Sequence, residues 1–460
     1  MSSAITFAPG RDSAFPTRAV VATSFGFALV QLDVSIINVA LARIGQDLSA
    51  GVASLQWVVD AYAIAFASLL LGAGALGDRL GSRRIYVSGM ALFTLASLGC
   101  GLAPGQGALI AARVLQGVGA SVLVPCSLAL LTHECGGDAA LRTRAISLWT
   151  AAGSIALSAG PLLGGLLVDI VGWRSIFLVN LPLGGIGVWL TYRAVDETPT
   201  SRRAADPVGQ SLAVIMLFCL TGAVIEGGRL GFGAPLVIGG FVAAAASGIG
   251  FLAAEARAPE PMLPLGFFRS ATFSVATLVG LVINLTLYGM IFVLGLYLQQ
   301  VLRYSPWQAG MAFLPFPVAL GLANVAAGHI AGQHTARIRM AIGLGVAALG
   351  FWLLSHVHDD SAYGSLLPGM IIIPIGIGLA VPLMTATLLS TVPRDRSGTA
   401  SGVLNTVRQA GGAIGVALFG TLFGAHGAAG MRVALMVSAV ALLAVGITAA
   451  LPRYSRSRPG

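Results

Sequence analysis

The chain has 460 residues, 56% of them hydrophobic and 9% charged, with a mean hydropathy of +0.88. A soluble domain carries about 25% charged residues, so the composition excludes a water-soluble protein and predicts one built into a lipid bilayer. The net charge of +9 rests on 26 basic residues, all arginine, in short links between apolar runs; that pattern excludes a nucleic-acid groove and marks membrane topology.

In chain order, the apolar runs predict fourteen transmembrane helices in an all-α integral membrane fold. Spans 1 to 6 fall at about 19–41, 54–77, 85–104, 107–132, 144–169 and 174–193. Spans 7 and 8 fall at about 207–230 and 233–254. Spans 9 to 14 fall at about 271–298, 306–331, 338–356, 363–390, 401–424 and 431–451. The polar links Val195–Asp206 and Glu255–Ser270 divide the chain into six, two and six helices. The expected units are a six-helix bundle over 1–193, two extra helices over 194–270 and a second bundle over 271–460. A six-plus-six plan is that of many secondary transporters, whose path runs between two bundles. The halves show no obvious repeat in sequence, so this duplication rests on hydropathy.

Arginine sets the orientation. Arg43, Arg174, Arg229, Arg303 and Arg432 fall on one side, Arg113 and Arg408 inside spans, and all others, from Arg11 to Arg458, on the opposite side. The positive-inside rule places both termini in the cytoplasm. Ala40-Leu41-Ala42 has the form of a signal-peptidase site. The apolar run before it is too long for a leader's core and holds an acid, so a retained helix is expected. Cys100, Cys126, Cys135 and Cys219 show no metal-ligand spacing, and no metal site is expected; the three in apolar segments read as packing residues.

The first span, VVATSFGFALVQLDVSIINVAL, contains the carboxylate Asp33. An ionisable group at such depth is costly and needs a partner, a proton or water. At 1.5 Å per residue, Asp33 lies roughly 21 Å up span 1 and Arg113 roughly 9 Å down span 4. Both then reach one level of a core about 30 Å thick. A direct or water-bridged Asp33–Arg113 pair is expected, either as a proton-coupling site or as a static ion pair. Asp60 on span 2 falls at the same depth, beside Trp57 and Tyr62. Three charged groups at one depth predict a coupled site where a proton competes with substrate; an outer vestibule is the alternative for Asp60. Glu226, near the end of span 7, is expected to pair with Arg229.

Between spans 2 and 3 stands GALGDRLGSRR, residues 74–84. Gly74 and Gly81 suit close approach and a sharp turn, while Asp78 can meet a helix N-terminus or an arginine. With Arg79, Arg83 and Arg84 they form a candidate clasp that holds one conformation and releases in another. On span 5, Gly153, Gly160, Gly164 and Gly165 admit a neighbouring helix, and Pro161 permits a kink. Gly411, Gly412 and Gly415 form a weaker counterpart on span 13. The Gly328–Arg339 link mirrors the 74–84 loop but lacks its acid, so a one-sided clasp is expected. Asn284, Tyr288 and Phe292, at fourfold spacing, are candidates for a cavity wall together with Asn38, Trp57, Tyr62, Gln299, Asn405 and Gln409. Bonding between neighbouring helices is the alternative for these polar groups.

The 74–84 run resembles the signature loop of the major facilitator superfamily, with Ser82 in place of the usual basic residue. LIAARVLQGVGA (109–120) is similar to its second motif, and GSIALSAGPLLGG (153–165) to its antiporter motif. LDVSIINVAL (32–41), WRSIFLVNLP (173–182), YLQQ (297–300) and SGVLNTVRQ (401–409) resemble the 14-span drug:proton antiporters of the EmrB/QacA type. The resemblance implies packing of span 5 against span 10 and a place for spans 7 and 8 beside the bundles. It also implies proton-driven export of small drug-like molecules by a monomer in a bacterial inner membrane.

No G-x-x-x-x-G-K-[ST] run is present, so a proton gradient is expected as the energy source, with no cofactor. A dedicated exporter of one metabolite or antibiotic is the alternative within transport. A non-transporting membrane sensor or scaffold is the alternative of another class. An intramembrane enzyme finds no supporting motif.

Overall fold

The computed structural model describes residues 15–135, 138–200, 206–259, 261–329, 336–358, 361–393 and 396–451. Arg11, Arg202, Arg203, Arg394, Arg453, Arg456 and Arg458 of the charge bias lie outside them, as does the middle of the Gly328–Arg339 link. The described residues contain helices and no strand. The first half comprises α1 (Thr17–Asp47), α2 (Val52–Leu80), α3 (Ser82–Gly101), α4 (Gln106–Glu134), α5 (Ala139–Ile170), α6 (Ser175–Leu178) and α7 (Asn180–Ala194). Next come α8 (Pro207–Leu230) and α9 (Pro235–Arg257). The second half comprises α10 (Ala271–Leu296), α11 (Pro306–Phe313), α12 (Pro315–His329), α13 (Ala336–Leu354), α14 (Leu367–Leu389), α15 (Ser397–His426) and α16 (Ala428–Ala450).

Among the described residues, twelve helices are long and apolar enough to cross a membrane. The two predicted spans that miss that standard do so for local reasons. Span 10 divides at Leu314 into α11 and α12, because Pro315 and Pro317 carry no N–H for the carbonyls of Met311 and Phe313. Span 13 forms one continuous helix, α15, diluted by glycine and polar residues. Span 6 also breaks, at Val179, where Pro182 withholds a hydrogen bond from Leu178. Span 1 runs unbroken through Ala40-Leu41-Ala42 to Asp47. Starts follow ordinary capping chemistry. Asp206 accepts from Gly209 N–H ahead of α8, and Ser305 with Gln308 forms a capping box on α11.

The halves repeat one packing scheme that the sequence does not display. In the first, α1 packs on α5; in the second, α10 packs on α15. Small residues mediate both contacts. A Cβ on Gly164 would stand 2.7 Å from Ile36 and Val39 of α1, and one on Gly411 would stand 2.5 Å from the Leu281 carbonyl oxygen of α10. Between the halves, α8 packs on α9, α2 and α15. Apolar side chains such as Val437, Val440 and Ile447 of α16 and Leu236 and Ile249 of α9 face outward, as a lipid-contacting surface requires.

The halves touch at one face and part at the other. On the face away from the α2–α3 turn, Gln56 Nε2 donates to the Ala417 carbonyl at 2.6 Å. There, a Cβ on Gly165 of α5 would stand 2.6 Å from the Pro306 carbonyl oxygen and 2.9 Å from Trp307 Cα. Asp169 accepts from Ser305 Oγ at 2.9 Å and from Trp307 N–H at 3.1 Å, joining the end of α5 to the start of α11. On the turn face a cavity of about 630 Å³ separates α2 and α4 from α15 and the 259–267 link.

Candidate functional site

The two charges that the helix arithmetic places at one level meet. Arg113 Nη1 lies 2.5 Å from Asp33 Oδ2, and both side chains are 1% exposed. Neutral groups complete the cage. Gln116 Nε2 donates to Asp33 Oδ1 and to Ser97 Oγ, each at 2.8 Å. Asn180 Nδ2 donates to Asp33 Oδ1 at 3.3 Å. Arg113 also donates to Gln116 Oε1 at 2.8 Å and, through Nε, to the Val58 carbonyl at 3.0 Å. Its guanidinium carbon stands 4.3 Å from the Tyr62 ring centroid, a cation–π distance. Five elements thus converge on one buried ion pair whose partners are satisfied, the condition for tolerating such a pair in a dry interior. Sequence reasoning missed the roles of Ser97, Gln116 and Asn180.

Asp60 stands apart, which corrects the expected three-group cluster. It is fully buried, and neither carboxylate oxygen has a hydrogen-bond partner. The vestibule alternative also fails in this conformation, since no part of Asp60 reaches solvent. On α2 it lies between Gln56, which bonds α15, and Ile64, which clusters with Ala413 of α15. Depth arithmetic located its level but not its direction around the helix.

A small central cavity of about 40 Å³ is lined by Asn38, Tyr62, Arg113, Tyr288 and Gln409 among apolar neighbours. An adjoining one of about 80 Å³ adds Ser158, Pro161, Phe313 and Phe316 to Asn38 and Tyr288. Five residues expected there are placed elsewhere. Trp57 joins α8, donating to Glu226 Oε1 at 3.3 Å. Asn284 turns its amide onto its own helix, donating to the Gly280 carbonyl. Phe292 is buried in the apolar core. Gln299 lies in a π-turn (Tyr297–Val301) beyond the cavity. Asn405 is half-buried and lines neither cavity. The reason on α10 is geometric. Steps of four residues advance about 40° beyond a full turn, so Asn284 and Phe292 flank the cavity-facing Tyr288. Glu226 pairs with Arg229 at 2.7 Å, as expected.

At the turn between α2 and α3, Gly81 adopts φ +97°, a conformation that suits glycine. Glu197, just after α7, is an acid that meets the N-terminus of α3 here. It accepts from the N–H groups of Arg83 at 2.9 Å and Arg84 at 3.1 Å. Arg83 in turn donates to the Tyr192 carbonyl. Asp78, with Gly74, lines the large turn-face cavity. No close approach occurs at Gly74, whose nearest neighbour would lie 3.9 Å from an added Cβ, because that cavity is open. Arg79 lies at the end of α2. Glu197→Gln is expected to weaken this turn by about 1 kcal/mol, through loss of a charged helix cap. A lowered melting temperature in detergent is the readout, and an unchanged one would remove Glu197 as the anchor.

The antiporter-motif glycines divide between two neighbours. Gly153, Gly160 and Gly164 face α1, while Gly165 faces the start of α11 and Pro161 meets Gly310 of α11. Packing of span 5 against span 10 therefore runs through Pro161, Leu162 and Gly165 of the motif.

Two helical halves, closed together at one face around a caged ion pair and a central cavity, define the class of secondary transporters that work by alternating access. The family model described as "Major Facilitator Superfamily" matches residues 23–416, and the chain belongs to that superfamily. It is 35% identical over 433 residues to the "Methylenomycin A resistance protein" of Streptomyces coelicolor, covering 93% of this chain and 89% of that one. It is 37% identical over 408 residues to the "Multidrug resistance protein Stp" of Mycobacterium tuberculosis, covering 88% and 75%. Among solved structures, a POT family transporter in complex with 5-aminolevulinic acid superposes with TM-score 0.70 at 14% identity, covering 94% of each chain. That last likeness concerns the fold alone.

Proposed function

We propose that this protein is a 14-span drug:proton antiporter, exporting small drug-like molecules from a bacterium by alternating access. The relatives' names support the cargo class, and the chain is a transporter rather than an enzyme. The proposed units are the bundles 1–193 and 271–460 with two extra helices in 194–270, acting as a monomer in the inner membrane. The arginine bias supports cytoplasmic termini. On that orientation, the turn face opens to the cytoplasm and the sealed face looks outward.

The observation that carries proton coupling is the contrast between two buried acids. Asp33 is held by three donors, whereas Asp60 has none at the seam between α2 and α15. An ionised Asp60 in that dry seam would cost several kcal/mol, so a proton on it favours outer closure and its loss favours opening. Cargo entering from the cytoplasm biases the same rocking equilibrium, and the two ligands compete without touching.

In proteoliposomes with an imposed pH gradient, Asp60→Asn is expected to keep substrate binding and lose gradient-driven export. Asp33→Asn is expected to lose coupling too; normal coupling in both variants would refute the scheme. A narrow exporter of one compound is favoured by the small central cavities. A toxicity panel on expressing cells, with and without an uncoupler, separates the two readings by how many compounds are exported.

A further inference from the structure

Arg408 is a cation inside the membrane that the coupling scheme leaves unused. It sits on α15, six residues after Gly402, which lines the turn-face cavity, and four before Gly412, which lines the central one. The residue is half-buried, and its Nε is shut off from solvent with no hydrogen-bond partner. Among the described residues it makes no ion pair. The titratable side chain that it feels is Tyr288, itself in the cavity wall. Among the described residues no internal acid is at hand: from residue 261 onward the chain's acids are Asp359, Asp360 and Asp395, and none belongs to a described helix. Asp33 is already engaged by Arg113, and Asp60 makes no contact with an arginine. No carboxylate lines either central cavity.

We infer that Arg408 is the recognition site for a negatively charged group on the cargo, and that the preferred substrates are apolar organic anions, carboxylates above all. An intramembrane cation is costly without a partner. Arg408 stands on α15 between Gly402 of the wide cavity and Gln409 and Gly412 of the narrow one, and the partner it lacks is the one a ligand's anionic group would supply. A guanidinium offers a planar fork that fits a carboxylate through two hydrogen bonds. Tyr62, Tyr288, Phe313 and Phe316 supply aromatic surface for the apolar body. A cationic cargo would find Arg408 repelling it and no carboxylate in the wall to compensate.

This inference rests on the export reading and deepens it. Its test uses matched probes: 4-phenylbutyrate, its methyl ester and 4-phenylbutylamine, with 2-naphthoate, its methyl ester and 2-naphthylmethylamine as a second set. Binding to purified full-length protein is followed by tryptophan fluorescence. The acids are expected to bind about tenfold tighter than ester or amine, one charge-assisted contact's worth. Arg408→Gln should bring acid binding down to the ester's level with ester binding unchanged, which also reports an intact fold. Arg408→Lys should retain most of the preference.

The proposal is overturned if no acid binds, if the amine binds as well as the acid, or if the preference survives in Arg408→Gln. The wild-type ranking stands as a test even if a variant fails to fold. A pH gradient that moves ester or amine but not acid defeats the inference and spares the export reading. Arg408-dependent acid binding without gradient-driven flux does the reverse.

Discussion

Arg113→Leu is expected to be the most damaging single exchange in the first half of the molecule. The substitution leaves Asp33 with only the amides of Gln116 and Asn180 and an uncompensated charge in a site 1% exposed. Removing one partner of a buried pair costs about 3–5 kcal/mol, and here the Val58 carbonyl and the Tyr62 ring lose their contacts as well. The expected result is a large fall in melting temperature and in the yield of monodisperse protein. Asp33→Asn with Arg113→Leu should recover much of that loss, because no charge is then stranded. A double variant as unstable as Arg113→Leu would mean that lost packing, not the stranded carboxylate, sets the cost.

Gly165→Leu is expected to hold the sealed face apart. Its side chain would enter space occupied by the backbone of Pro306 and Trp307, which cannot move aside without shifting α11. Overpacking of this kind costs about 1–3 kcal/mol, equivalent to about five- to hundredfold in the balance between closed and open forms. Folding should survive, since opening relieves the clash. With the four native cysteines replaced, a thiol at Asn38 should be labelled from that face in Gly165→Leu and protected in the parent. Gly164→Leu is the control, because it clashes with α1 inside the same half. It should destabilise the protein without exposing the cavity; equal labelling in both variants would defeat the assignment of Gly165 to the seal.

The parts of this site legible in the sequence are those where charge is scarce. Asp33 and Arg113 stand out because apolar helices tolerate few ions, and rise per residue converts their positions into depth. Depth says nothing about azimuth, so the arithmetic groups Asp60 with the pair although α2 turns it toward α15. Ser97, Gln116 and Asn180 carried no comparable signal, since neutral polar residues occur throughout these helices. Glu197 was hidden by distance along the chain: a polar link reads as a link until the fold brings it to the α2–α3 turn. Pro182, Pro315 and Pro317 break helices locally, but apolar length alone carries spans 6 and 10 straight through them. The two extra helices were plain from hydropathy, but their seat on α2 and α15 was not.

That seat makes the two flanks of the cleft unequal. Thr421 of α15 donates to the Val224 carbonyl of α8, and Gln210 of α8 donates to the Ser68 carbonyl of α2, so α8 is stitched to both halves and curtains one side. Among the described residues no hydrogen bond bridges α5 and α12, which touch only slightly beside the cavity at Phe316 and Pro317. The seam between the halves is therefore laced by hydrogen bonds along the α8 flank and rests on looser contact where α5 faces α12.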